Sequence, residues 1–385
     1  MDFRFSEEQI QIMEAARKFA RKEFPKVARD CDRQERFPKE VWQMAGELGF
    51  MGIFIAEEYG GLGLGVLEHA LVMEEFWRVD PGVGNILLAV FGSEIISAFG
   101  SEEQKRRYLN EIAQGRSIWA CAITEPNAGS DIFAQSTTAR RDGDEYIING
   151  SKQFISNGTV ADYVLVMCRT NPEEKNRFKR HGFLVVERSS KGFSAVKLTG
   201  KMGIRASDTA ALSFDDVRVP VENLIGMREG EGFKHVMHLF NINRVVAAAQ
   251  GVGVAQASLD RTVKYVKERV QFGRAIGSFQ GIQFSLADMA AQVEAARRMY
   301  QLAAWQIDND QVDPQIVSIA KLLAGRAAVA VTQEAVQLHG GYGYMEEYDV
   351  ERFYRDAKVV EIYEGTREIE KLTIARELLG RDFKG

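Results

Sequence analysis

The chain reads as an α+β protein in three blocks: an N-terminal helical domain (1–115), a middle β-barrel or sandwich domain (116–231) and a C-terminal four-helix bundle (232–385). Three observations predict this. Apolar residues recur at helical spacing up to about Arg116, and short β-branched and aromatic runs follow. Beyond about Gly232, long helical stretches return, with no proline between Asn243 and Arg269. A chain of 385 residues also exceeds what one compact core usually holds.

Each block has its own signals. Ser6-x-x-Gln9 is a capping box ahead of Ile10, Met13, Ala16, Phe19 and Ala20, which share one helical face. Pro38 opens a second helix, and Leu67–Val79 and Asn85–Phe99 are expected to continue as apolar helices. Ser101-x-x-Gln104 starts another helix that Gly115 ends. Predicted strands are Ile118–Thr124, Thr137–Arg141, Tyr146–Asn149, Tyr163–Arg169, Gly182–Glu187, Ser194–Thr199 and Ala210–Phe214, with turn signals at Asp142-Gly143 and Asn157-Gly158. Asn243–Arg269, Gln280–Asp308 and Pro314–His339 are long enough to form an antiparallel bundle.

Composition narrows the function. Forty-nine Lys and Arg against 54 Asp and Glu leave a net charge of −5, which is no footprint for nucleic acid. Cys31, Cys121 and Cys168 form neither a CxxC pair nor a disulfide framework, so a reducing, cytoplasmic setting is expected. The start shows no apolar secretory core, and no apolar run is expected to reach the ~18 residues of a membrane span. His235 and His238 stand three apart on a helix, but no Cys or carboxylate joins them at ligand spacing, so a core or surface role is expected. Neither a Walker loop, a GxGxxG fingerprint nor a Gly-x-Ser-x-Gly elbow is present.

Three stretches remain. AITEPNAGSD (122–131) leaves a strand for a polar, glycine-containing turn, which is either an ordinary strand end or a cradle for a heterocycle or phosphate. KQFISNG (152–158) puts Phe154 and Ser156 on one side of a strand; the ordinary reading of Phe154 is core, the other a ring stack. Near the C-terminus, Thr366 is an N-cap with Glu364 just before it. Glu364 is then either a helix-dipole carboxylate or a general base, since burial raises and a helix end lowers its pKa.

With DDVRVP, Arg269-x-x-Phe-Gly, LHGGYGY, RDAK and IYEGT, these stretches stand in an order that resembles the acyl-CoA dehydrogenase family, from Phe5 to Leu379. The resemblance implies a homotetramer with one FAD per subunit. It would oxidise an acyl-CoA thioester to the α,β-unsaturated product and pass electrons to an electron-transfer flavoprotein. Glu364 would take the weakly acidic α-proton while the β-hydrogen leaves as hydride to flavin N5. The Glu364 N–H and a flavin ribityl hydroxyl would form an oxyanion hole for the thioester oxygen.

Carried over by position, Cys121, Ile123, Thr124, Gly129 and Ser130 would line the flavin, Ser130 also meeting the CoA arm. Phe154, Ile155 and Ser156 would cover its face and N5 edge. Arg269, Phe272 and Gln280 would hold the diphosphate and adenosine side, where an arginine fork suits a diphosphate. Gln337, Leu338, Gly340 and Gly341 would reach the FAD of a neighbouring subunit, and Thr366 and Glu368 would close over the adenine nucleotide. Asn241, Arg244, Tyr363, Phe91 and Arg376 would border the substrate, with Gly365 letting the CoA chain pass close to the backbone.

Three departures stand out. Phe154 replaces the tryptophan of many relatives, Glu368 replaces a glutamine, and Asn243 stands where a subset carries its base, which strengthens Glu364. The stretch GVGNILLAVFGSEII (82–96), which in relatives borders the distal acyl end, holds no Lys or Arg, so a glutaryl-type carboxylate lacks a partner. Leu87, Leu88, Val90 and Phe91 suggest an apolar pocket for a short, branched or cyclic acyl group. Two other readings are an acyl-CoA oxidase that uses oxygen and a flavin-binding scaffold without catalysis; the intact IYEGT segment speaks against the scaffold.

Overall fold

The computed structural model describes residues 4–380. Its first block holds helices α1 (Glu7–Glu23), α2 (Ala28–Gln34), α3 (Lys39–Glu47), α4 (Val66–Val79), the single turn α5 (Pro81–Gly84), α6 (Ser93–Phe99) and α7 (Glu102–Ala113). Both capping boxes form: the Ser6 and Ser101 hydroxyls accept from Gln9 N and Gln104 N at 3.1 and 3.2 Å, and the glutamine side chains return the bond. Gly115, at φ +60°, turns the chain out of α7, and a Cβ there would lie 2.6 Å from Gly46 Cα on α3.

The expected helix over 85–99 does not form as one piece. Asn85–Val90 is a 3₁₀ helix, Phe91 is extended, and Gly92 at φ +101° restarts the chain as α6. The break follows from packing, because Gly92 lies against the sheet, where a Cβ would meet Leu165 Cδ2 at 3.0 Å. Pro81–Phe99 and Pro314–Tyr344 are long and apolar enough to cross a membrane, contrary to the sequence expectation, but both are mostly buried inside the protein.

The middle block is a single curled sheet of β1 (Trp119–Ala122), β2 (Thr138–Asp142), β3 (Glu145–Ser156), β4 (Tyr163–Arg169), β5 (His181–Glu187), β6 (Phe193–Lys197) and β7 (Thr209–Pro220). Its path is β1-β4-β2-β3-β7-β6, with β5 also on β4. The β1–β4 pair is parallel, Trp119 opposite Tyr163, while β3–β7, β6–β7 and β4–β5 are antiparallel. Strand β3 outruns its predicted Tyr146–Asn149 because it bends twice against β7, between Ile148 and Gly150 and between Lys152 and Ile155.

The last block returns to helix: α8 (Gly232–Glu268), a hairpin of β8 (Val270–Gln271) and β9 (Arg274–Ala275), α9 (Gln280–Asp308), α10 (Pro314–His339), α11 (Val350–Ala357) and α12 (Arg367–Leu379). Helix α8 is apolar around most of its circumference, buried from Val236 to Val266, so it forms the axis on which α4, α9 and α10 pack. His235 is core, stacked on Phe99 with ring centroids 4.5 Å apart. No metal-holding group of His, Cys, Asp or Glu exists among the described residues.

Two buried polar clamps fix the sheet's working edge. Glu125 and Ala128 exchange backbone bonds of 3.0 and 3.1 Å, closing the turn after β1. The Glu125 carboxylate accepts from Ser136 N at 2.6 Å and Thr137 N at 3.0 Å, and pairs at 3.0 Å with Lys152, whose side chain is wholly buried in β3. Lys152 also donates to Ile123 O at 2.9 Å and Gln135 Oε1 at 3.1 Å. Burial works to raise the Glu125 pKa, but the Lys152 charge and these N–H donors hold it at about 2. In the second clamp, Asn157 Nδ2 donates to Leu88 O at 2.9 Å and Trp119 O at 3.1 Å, tying the end of β3 to the 3₁₀ segment and to β1.

Breaking the first clamp leaves a buried cation unpaired. Glu125→Gln is therefore expected to lower unfolding free energy by about 3–5 kcal/mol, measured by denaturant titration. Because the folded pKa lies below the ordinary 4.5, this stability is complete above that value and is lost as pH falls toward about 2. The gap between variant and parent should close over the same range.

Candidate active site

The chain from the end of α11 to α12 makes a sharp turn built of two residues at positive φ, Glu364 at +51° and Gly365 at +104°. For a glutamate this conformation costs of order 1–3 kcal/mol and persists only where surroundings enforce it. Three helices do so. Lys321 of α10, buried, donates through Nζ to Gly365 O. Arg244 of α8 lies 3.0 Å from Glu370 of α12, both buried. Gly365 sits at φ +104°, which side chains rarely adopt, and a Cβ there would stand 1.9 Å from Glu370 Oε1, so the position favours glycine. Tyr363 donates its hydroxyl to Gln250 Oε1 on α8, and Gln250 Nε2 donates to Asn85 Oδ1 at 3.2 Å. Thr366 caps α12 by accepting from Ile369 N at 3.3 Å.

What this lock holds is a carboxyl group with little to satisfy it. Glu364 Oε2 is buried and has no hydrogen-bond partner. Burial raises the pKa to about 7, against the lowering pull of Lys321 and Arg244 and with a further push from Glu370. Cys121 at the end of β1 carries a thiol held well above its usual range by burial and by the nearby Glu94 and Glu364 charges. The Glu364 charge is thus felt both at the sheet end, by Cys121, and in the 85–94 segment, by Glu94. A group that is half-ionised near neutrality in a water-poor pocket has the chemistry of a general base.

The sheet supplies the second wall. The irregularity between Lys152 and Ile155 turns Phe154 outward at φ +59°, where it is 68% exposed, so its reading as core is wrong. A phenylalanine at positive φ with its ring in the open is an outlier that points to a ligand. Gln153 N donates to Thr124 O at 2.9 Å, setting the β1 exit beside Phe154. Ser156 and Thr124 are half-exposed and Gly129 and Ser130 fully exposed. Ile123 and Ile155 are core side chains, which leaves only their backbones for a ligand.

Other expected residues lie elsewhere. Arg269, Gln337, Leu338, Gly340 and Gly341 line one open depression of about 500 Å³, with the Arg269 guanidinium 5.2 Å from the Tyr342 ring centre. Phe272, 92% exposed at φ +52°, projects from the β8–β9 hairpin, and Gln280 opens α9 in solvent. Arg244 and Arg269 are 25 residues apart on α8 and its cap, about 38 Å at 1.5 Å per residue. One chain therefore presents two separated half-sites. Asn241 and Phe91 are half-buried, with Asn241 Oδ1 unpartnered. Arg376 lies exposed about 15 Å of helix beyond Thr366, and Glu368 faces solvent near Arg367, so neither belongs to the Glu364 pocket. Gly365, expected to clear a path for the substrate chain, also makes room for Glu370.

Sequence reasoning missed Lys321, Gln250, Glu370 and Glu94. Lys321 gave a signal, a cation inside the apolar run of α10, and Glu94 stood in a stretch inspected only for cations.

Comparison with known proteins accords with this geometry. The acyl-CoA dehydrogenase N-terminal, middle and C-terminal domain families match residues 6–116, 120–217 and 230–379. The acryloyl-CoA reductase (NADH) of Anaerotignum propionicum is 43% identical over 99% of this chain and 97% of its own. Butyryl-CoA dehydrogenase from Megasphaera elsdenii superposes with a TM-score of 0.95 at 39% identity, covering 99% of this chain and all of that one. A chain solved in work on the electron transferring flavoprotein of Acidaminococcus fermentans gives 0.96 at 42% identity, covering 98% and 100%. With all three domains present in order around the Glu364 turn, the chain belongs to the acyl-CoA dehydrogenase family, an enzyme family whose cofactor is FAD.

Proposed function

We propose that Glu364 removes the α-proton of a short, branched or cyclic acyl-CoA, and that the electrons leave to an electron-transfer flavoprotein. The observation that carries this is the unpartnered Glu364 oxygen, buried on a turn clamped by α8, α10 and α12. A proton from a thioester's α-carbon needs an acceptor already stripped of water and fixed in direction, and the clamp provides both. The Glu364 N–H, presented by the same left-handed turn, is the candidate donor to the thioester oxygen.

The residues present also fit FAD. The outward Phe154 offers an apolar face, the Thr124–Ser130 exit offers backbone and hydroxyl groups, and Arg269 offers a fork for a diphosphate. When bound, the flavin accepts the hydride from the β-carbon. The chain's own work is to hold the acyl group between Glu364 and that ring and to exclude water.

Butyryl-CoA dehydrogenase among the neighbours and Phe91 beside the 3₁₀ segment support a short acyl group. The work on an electron transferring flavoprotein behind another neighbour supports the acceptor. The reductase relative favours a second reading, operation toward the saturated ester. A base near pH 7 suits both directions, since the same group returns the proton it takes.

We propose a homotetramer, and the two half-sites support the sharing of a site between subunits that it requires. With Arg269 about 38 Å from the Glu364 pocket along α8, one extended cofactor would draw on the Glu364 side of one subunit and the Arg269 side of another.

Three outcomes check these assignments. Glu364→Gln is expected to keep the yellow cofactor and to lose flavin bleaching by acyl-CoA about 10²–10⁴-fold in anaerobic stopped-flow. In the parent, bleaching should fall below about pH 7 as Glu364 protonates; Lys321→Met removes a cation that lowers this pKa, so the limb should move up, while Lys321→Arg holds it. Co-expressed Arg269→Ala and Glu364→Gln chains should recover activity in hybrid assemblies, whereas a chain carrying both changes should not.

A further inference from the structure

Residues 82–96 of the first block, tied to the Glu364 turn through Asn85, Gln250 and Tyr363, carry one ionisable side chain, Glu94. It is 4% exposed, inside a segment whose Leu87, Val90, Ile95 and Ile96 are buried. Oε2 accepts from Gly92 N at 2.8 Å, and no side-chain donor reaches the carboxyl among the described residues. Gly92 rests against Leu165 and Cys121, so the carboxyl is anchored where β1 ends. Among the described residues no Lys or Arg pairs with Glu94, in contrast to the other buried glutamates Glu23, Glu74, Glu75, Glu125, Glu361 and Glu370. Its charged neighbour is Glu364 itself.

Two polar groups in this segment lack partners, the Asn85 amide nitrogen and the Ser93 hydroxyl, both buried. Buried polar groups are normally satisfied, and an isolated carboxyl is the costliest exception. An acyl chain made only of hydrocarbon would seal Glu94 from water without offering it anything. Burial and the Glu364 charge lift the Glu94 pKa to about 7, so near neutrality it is present both as acceptor and as donor.

We propose that Glu94 is a specificity residue, and that the acyl group it selects carries a hydrogen-bond-donating heteroatom, a hydroxyl or an amine, positioned to meet Oε1. This rests on the reading of Glu364 as the base of an acyl-CoA pocket and names the substrate class of that pocket. It replaces the wholly apolar pocket that residues 82–96 suggest when only their leucines and missing cations are counted.

The test uses the FAD-loaded enzyme and three esters of matched length, pentanoyl-CoA, 4-hydroxybutyryl-CoA and 4-aminobutyryl-CoA, with anaerobic flavin bleaching as readout. The parent should favour a heteroatom ester over pentanoyl-CoA in kcat/KM by about 10–100-fold. Glu94→Leu should reverse that order. Glu94→Gln should retain the hydroxyl ester, which an amide oxygen can still accept from, and lose the amine. Preference for pentanoyl-CoA in the parent, with a ratio unmoved by Glu94→Leu, would overturn the inference and leave Glu364 untouched. If none of the three esters bleached the parent flavin, the reading of Glu364 would fall and this inference with it.

Discussion

A carboxyl group kept from both water and a cation contact is unstable, and the architecture around Glu364 exists to hold one there. Left alone, the side chain would rotate toward solvent or pair with Lys321 or Arg244 nearby. Neither happens, because those cations are committed: Arg244 stands against Glu370, and Lys321 donates to the backbone oxygen of Gly365. They bend the turn and moderate the Glu364 pKa without bonding to its carboxylate. The left-handed backbone, the glycine with no room for a methyl, and the Tyr363–Gln250–Asn85 chain that reaches the first block are consequences of this one constraint.

Helix α8 sets the larger geometry. Its 37 residues carry Arg244 and Gln250 toward the Glu364 turn and leave Arg269 at the far cap. A helix buried on nearly every side cannot bend to bring its ends together, so the spacing of the two half-sites is fixed within a subunit. Among the described residues, nine non-glycine positions have positive φ; Phe154, Phe272 and Glu364 are three of them, and each is also a site candidate. Backbone strain is thus found at the base, at the sheet edge and at the exposed hairpin of the remote half-site, as well as at six positions elsewhere.

The blocks were legible because each announces its period. The capping boxes at Ser6 and Ser101 and strand Tyr163–Arg169 lie where sequence alone puts them, since local chemistry decides them. Failures came where tertiary packing decides. The 85–99 segment breaks at Gly92 because it must pass the sheet at Leu165, which lies 73 residues away in sequence. Phe154 looked like core because an aromatic in a strand usually is; the irregularity that turns it out depends on β7. Lys321 stood out only as a cation in an apolar run and Glu370 not at all, because their roles lie in contacts across three helices.

Glu125 and Glu364 show how one residue type serves opposite ends. Both are shielded from solvent, and burial pushes both pKa values up. Glu125 receives two backbone N–H groups, a serine hydroxyl and a lysine ammonium, and falls to about 2. Glu364 has one oxygen without any donor and rises to about 7. The two part over how many donors the fold aims at each group. A carboxylate saturated with donors holds a turn in place and cannot take a proton at neutral pH. One starved of them can, and the cost of starving it falls on the surrounding helices.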